Sequence, residues 1–131
     1  MKNYTKYQDG TLLLLRLVLA AIFIVAGYAK LPFWNGPVEG VSETMSLLIK
    51  FLSIVEPLGA IALIAGFLTK WASLGLAIIM VGAIFVLQFT MQTGFSTATG
   101  TGWNFPLILL SGCAILMAFG AGKWSIDSKR K

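Results

Sequence analysis

Apolar residues are gathered into four long blocks, and within each block they do not alternate with polar ones. The blocks are residues 11–30, broken only by Arg16; residues 47–68, broken by Lys50 and Glu56; residues 71–90, with no charge; and residues 105–120, also uncharged. A helix rises 1.5 Å per residue, so about 20 apolar residues cross the roughly 30 Å of hydrocarbon in a bilayer. The first three blocks reach that length, and the fourth does so narrowly. Period-2 alternation, the mark of a transmembrane strand, is missing. The pattern predicts an all-α chain: an integral membrane four-helix bundle, with residues 1–131 forming a single transmembrane domain.

The segments between the blocks fit that reading. Thr69-Lys70 is a very short link, so the second and third helices are expected to be antiparallel neighbours. Residues 31–46 hold Pro32, Gly36, Pro37 and Gly40, and residues 91–104 are rich in Thr, Ser and Gly without a charge. Asn104 two residues ahead of Pro106 predicts a helix start with a side-chain cap and a first-turn proline. Gly120 and Gly122 mark the end of the fourth helix. Gly27 and Ala29 offer a small-x-small cleavage pattern, but the first block exceeds an ordinary leader core, so it is expected to be retained.

Composition narrows the possibilities further. Hydrophobic residues make up 57% and charged ones 11%, against roughly 45–50% and about 25% in soluble domains. There is no histidine and a single cysteine, Cys113. The chain therefore cannot build a histidine-ligated haem, zinc or copper centre, a dithiol pair, or a four-thiolate iron–sulfur site. No metal site and no catalytic residue is expected within it, and Cys113 reads as a small packing residue.

The net charge is +5, carried by 10 Lys and Arg residues. Four spans would place Lys2, Lys6, Arg16, Lys70, Lys123, Lys129, Arg130 and Lys131 on one side and only Lys30 and Lys50 on the other. This asymmetry predicts both termini in the cytoplasm and a multi-pass protein of the inner (plasma) membrane. The basic excess is a topology signal, not a nucleic-acid footprint, and the tail Lys129-Arg130-Lys131 is expected to touch anionic lipid. Tyr7, Trp71 and Trp124 would lie in one interfacial aromatic belt, and Phe33, Trp34 and Trp103 in the other.

A charge inside hydrocarbon costs roughly 2.5–3.5 kcal/mol on insertion scales, so each such group needs a partner, a wet cavity or a way out. Glu56 is too deep to snorkel. Pro57 after it removes a backbone hydrogen bond and frees a carbonyl near Ser53. Ser53, Glu56, Gly59 and Gly66 fall on neighbouring faces, the expected inward side of the second helix. Arg16 either snorkels to the near interface or pairs with Glu56. Lys30 and Lys50 can snorkel or reach toward Glu56. Gln88, Trp103 and Asn104 lie at the same end as Lys30. The candidate ligand-binding set is Glu56, Arg16, Lys30, Gln88, Trp103 and Asn104, with Lys30, Glu56, Gln88, Trp103 and Asn104 expected to line one cavity. Pro57, Gly27, Gly59, Gly66, Ala114 and Ala118 are the expected packing positions. The Ala114, Ala118, Gly122 stripe suits close helix packing, including with a second subunit. Gly120-Ala121-Gly122-Lys123 lacks the spacing of a phosphate loop.

An arginine-bearing first helix ends in GYAKL, Gly27 to Leu31. A second carries VEPLGAIALIAGFLTK, Val55 to Lys70. A third apolar helix follows, and a fourth ends in GKWSID, Gly122 to Asp127. The order of these motifs resembles the DoxX family of small four-helix membrane proteins. The resemblance picks out Arg16, Gly27, Lys30, Glu56, Gly59, Gly66 and Asp127. It implies a link to quinol oxidase and thiosulfate:quinone systems, hence an accessory or quinone-binding subunit with a quinone as its cofactor. In that reading Glu56 handles a proton, Lys30 or Arg16 binds the quinone oxygen, and Trp103 or Tyr28 stacks on the ring. Two other readings stand beside it: a structural subunit that docks a partner, or a small-solute or lipid carrier working as an oligomer. All share the lipid bilayer as a partner, with a partner subunit or a second copy as the next.

Overall fold

The computed structural model describes residues 2–98 and 100–129, and the side chains of all of these except residues 2–6 and 101. The side chains of Lys2 and Lys6, together with Arg130 and Lys131, therefore lie outside the described residues. Helix α1 covers Lys2–Ala29, well beyond the apolar block at its N-terminal end, and a 3-10 turn follows at Leu31–Asn35. Helix α2 is Glu43–Ala65 and α3 is Thr69–Phe85, extended by a π-helical turn at Val86–Thr90. A two-stranded antiparallel hairpin, β1 Ser96–Thr97 and β2 Gly100–Thr101, precedes α4 at Asn104–Phe119. The chain ends on the short α5, Ile126–Lys129.

Three segments are long and apolar enough to cross a membrane: Tyr7–Asn35, Glu43–Ala65 and Thr69–Thr90. Helix α4 has 16 residues, or about 24 Å at the helical rise. The expected four spans are thus three plus one shorter apolar helix. The hairpin is a small exception to the all-α expectation. It takes up part of the polar loop, whose Thr and Gly content suits a tight ribbon.

Alternating helices run in opposite directions, which defines two ends. At the tail end lie the α2–α3 connection and the C-terminal segment; at the loop end lie the 3-10 turn and the hairpin. The α1–α2 and α3–α4 pairs pack most extensively, with α2–α3 and α1–α4 closing the bundle. Phe23, Leu63, Leu76 and Leu116 are fully buried in one core. Small residues set the approach distances. A Cβ at Gly59 would lie 3.1 Å from Leu76, and one at Gly112 would lie 3.3 Å from Leu15 and Leu19. Without a hydrophobic drive between helices in lipid, such close fits supply the association. Cys113 is buried, and Ala114 and Ala118 face away from the bundle.

Two local expectations need correction. Helices α2 and α3 are joined by Gly66–Leu68, and Thr69 already belongs to α3. Gly66 closes α2 in the left-handed conformation, φ +69°, with Phe67 N–H donating to Ala62 O at 2.9 Å. Asn104 does not cap α4 with its side chain. Its Oδ1 turns back to accept from Gly102 N–H at 3.0 Å, holding the hairpin base, while Pro106 does sit in the first turn.

Candidate functional site

Two buried polar centres emerge, one toward each end of the bundle. Helix α2 builds the first. Ser53, Glu56, Ala60 and Leu63 recur at helical spacing and are buried, so the carboxylate is carried inward with the apolar stripe. Glu56 is 2% exposed, and Lys30 Nζ, from the end of α1, lies 3.3 Å from each of its carboxylate oxygens. The ammonium also donates to Ala26 O at 3.4 Å. The Lys30 side chain is 26% exposed. One partner of the pair is therefore sealed and the other reaches the surface.

Gly27 and Pro57 bring the two helices together at this level. A methyl group on Gly27 would collide with the Pro57 ring and lie 3.3 Å from Ser53 O. That carbonyl is the one left without a helical donor by Pro57. The missing side chain on α1 thus makes room for the bulky ring on α2, and Lys30 follows one turn later.

A second polar layer lies one helical turn to the loop side of the pair. Trp34 Nε1–H donates to Ser53 Oγ at 2.8 Å, and Ser53 Oγ donates to Lys50 O at 2.6 Å. Lys50 Nζ stands 5.6 Å from the centroid of the Trp34 ring. The sequence placed Trp34 only in an aromatic belt. Its indole N–H, which needs a partner when it meets the protein, was the available signal.

The second centre is Arg16, 1% exposed. Its guanidinium donates to four carbonyls: Nε to Leu63 O at 2.9 Å, NH2 to Ile64 O at 3.2 Å, and NH1 to Ala121 O at 2.8 Å and Trp124 O at 2.9 Å. The carbonyls in the last turn of a helix lack intrahelical donors; Arg16 supplies one to Ile64 O and adds a second to Leu63 O, which also accepts from Gly66 N–H at 3.2 Å. Asp127 completes the arrangement. Its carboxylate acts electrostatically on Arg16 and accepts from Leu68 N–H at 2.7 Å and Thr69 N–H at 2.8 Å, capping α3. Gly66 is the fulcrum: a Cβ there would collide with Ser125 and lie 3.2 Å from Arg16 NH1. Nearby, Asp9 accepts from Lys123 N–H at 3.0 Å.

Both expectations for Arg16 therefore fail. It neither snorkels to an interface nor meets Glu56, because α1 begins at Lys2 and the C-terminal segment folds over its middle. The sequence offered no signal for this, since Arg16 reads backbone oxygens that any residue carries.

The structure unites Lys30 and Glu56 but not the rest of the candidate set. Gln88 is exposed on the π-helical turn, and Tyr28 is 74% exposed. Trp103 packs edge-on against Phe95, 4.8 Å between centroids. Asn104 lines an open cavity of about 410 Å³ with Phe95, Phe105, Leu107, Ile108 and Ser111. Of the five residues expected to share one cavity, that cavity holds only Asn104. The hairpin draws Trp103 and Asn104 toward Phe95. Among the described residues, no cluster of His, Cys, Asp and Glu could hold a metal ion.

A family model described as DoxX matches residues 11–89. Over 130 residues the chain is 28% identical to an uncharacterized protein of Haemophilus influenzae, covering 98% of this chain and 97% of that one. It is 26% identical over 126 residues to the inner membrane protein YqjF of Escherichia coli, covering 93% of each. No solved structure matches. The region matched by the family model contains Arg16, Gly27, Lys30, Glu56 and Gly66, and stops short of α4 and Asp127.

Proposed function

The chain belongs to the DoxX family of membrane proteins, and on that premise we propose that it is an accessory subunit of an inner-membrane redox system, with the Lys30–Glu56 pair as the binding site for a quinone head group. The observation that carries this reading is the pair itself: a sealed carboxylate whose lysine partner reaches the surface. Intramembrane ionisable groups mark functional sites by default. A quinone would supply two-electron, two-proton redox chemistry, with the electrons coming from a partner subunit. Lys30 Nζ would turn the donor it gives Ala26 O, its longest contact at 3.4 Å, to a carbonyl oxygen of the head group. Glu56 holds a proton or a negative charge there, and Lys30 sets the balance between the two. The isoprenoid-like tail of such a ligand would lie against the apolar outer faces of the helices.

The same reading places both termini in the cytoplasm, with the whole chain acting as one transmembrane domain. Arg16 is now inside the bundle, so it drops out of the interfacial charge comparison. By sequence, Lys2, Lys6, Lys70, Lys123, Lys129, Arg130 and Lys131 still count on the side of the termini, against Lys30 and Lys50 on the other. The bias still favours cytoplasmic termini. The Escherichia coli relative is an inner membrane protein, which supports the inner-membrane location.

A second reading rests on the Gly27–Pro57 fit: the pair pins α1 to α2, and the protein is a structural subunit. Purification in mild detergent, followed by lipid extraction and mass spectrometry, separates the two. The expected result is a quinone on the wild type that is lost from the Glu56→Gln variant. A quinone retained equally by both would remove Glu56 from the site. No quinone, with a partner subunit held by both forms, would leave the pin.

A further inference from the structure

The 3-10 turn at Leu31–Asn35 begins next to Lys30 and ends at Gly36, whose φ is +144°. None of its residues is buried. At Gly36 and Gly40 a Cβ would meet nothing within 4 Å, so the chain beyond the turn is not packed at those points. The hydrogen bond and the cation–π contact that tie this turn to α2 both go through Trp34, to Ser53 and Lys50. Ser53 lies one helical turn before Glu56 on the same buried face, about 4.5 Å nearer the loop end by helical rise. The indole, itself 52% exposed, is therefore anchored one turn to the loop side of the carboxylate, in the turn that immediately follows the residue that pairs with it.

We propose that Trp34 is a latch that closes the loop-end approach to the Lys30–Glu56 pair and controls access of water and solutes from that side. A tethered aromatic suits the task. Its ring excludes water from the layer above Glu56, while one N–H and one cation contact fix its position. Releasing them lets the turn swing on Gly36, where nothing packs. The inference rests on the place of the pair in the bundle and does not depend on which ligand it binds.

The test is chemical modification of Glu56 in the detergent-purified full-length protein. A water-soluble carbodiimide with glycine methyl ester converts accessible carboxyl groups to amides, and peptide mass spectrometry reads the rate at Glu56. Wild type is expected to react slowly. Trp34→Phe and Ser53→Ala each remove the hydrogen bond and are expected to react about fivefold faster. Trp34→Ala also removes the cation contact and is expected to react at least about tenfold faster. Trp71→Ala, an exposed tryptophan at the other end of the bundle, should react like wild type. Equal rates for wild type, Trp34→Ala and Ser53→Ala would overturn the latch. So would an equal rise in Trp71→Ala, because it would report a loosened bundle. Faster labelling of the Trp34 variants in a protein that carries no quinone would support the latch while sinking the ligand assignment. A wild type that carries quinone but labels no faster in the variants would do the reverse.

Discussion

Arg16 and Lys30 are held in opposite ways in this bundle. Arg16 meets four backbone oxygens at 2.8 to 3.2 Å, drawn from α2 and the C-terminal segment. Lys30 meets one carboxylate, with both oxygens at 3.3 Å, and keeps part of its side chain exposed. The guanidinium is a rigid planar fork with five donors and a charge that stays fixed. It can join several fixed acceptors at once, so it locks the tail end of the bundle. The ammonium is a point charge on a flexible stem, paired with a group that can gain or lose a proton. The first centre is closed by backbone acceptors, and the second keeps one of its partners at the surface. In each, one glycine lets the partner approach: Gly66 beside Ser125 and Arg16, Gly27 beside Pro57.

Removing the fork should have the largest effect. Arg16→Ala takes a donor from four carbonyls of α2 and the tail, the buried Ala121 O among them, and is expected to lower stability by about 3–5 kcal/mol. The measurement is the unfolding midpoint in detergent. Arg16→Lys should recover only part of the loss, because one ammonium cannot span the same four oxygens. Full recovery would mean that charge, not the fork, holds the tail end.

The two glycines come next. Gly66→Ala adds a collision with Ser125 to a left-handed backbone, φ +69°, at an expected cost of about 1–3 kcal/mol. Gly27→Ala keeps a helical backbone, though its methyl group meets the Pro57 ring and lies 3.3 Å from Ser53 O. It should cost less globally, yet it should disturb the Lys30–Glu56 spacing. Its signature is ligand loss without collapse. Equal melting shifts for the two variants would erase the contrast between the centres.

The smallest effect on stability belongs to the double variant Lys30→Met with Glu56→Leu. Apolar replacement of a whole buried ion pair is often neutral or stabilising, so the midpoint should move by no more than about 1 kcal/mol equivalent, or rise. A large destabilisation would make the pair a structural pin.

The legibility of the two centres differs for a physical reason. Glu56 stood out because a carboxylate in an apolar run is costly wherever it goes, while Lys30, Lys50 and Arg16 all stood open as its partner until the fold brought Lys30 to it. The Arg16 clamp was not legible. Its partners are main-chain oxygens, which no side-chain pattern marks, and two of them come from a segment 105 and 108 residues away. Asp127 was picked out only by family resemblance. Its role as the cap of α3, reached from 59 residues off, follows from the fold. The five-residue cavity failed at the hairpin, whose pairing turns Asn104 back on Gly102.

By itself the sequence determined the helical architecture, the apolar outer surface, the inward face of α2 and the exclusion of histidine- and cysteine-based metal centres. Each follows from local composition and helical period, which tertiary contacts do not alter. The tertiary structure alone decided which buried charge meets which acceptor, how Trp34 lies across Ser53, and that Arg16 and Glu56 belong to separate centres. Those outcomes depend on how far α1 extends and where the tail folds back, and pairings between distant segments leave no period in the chain to read.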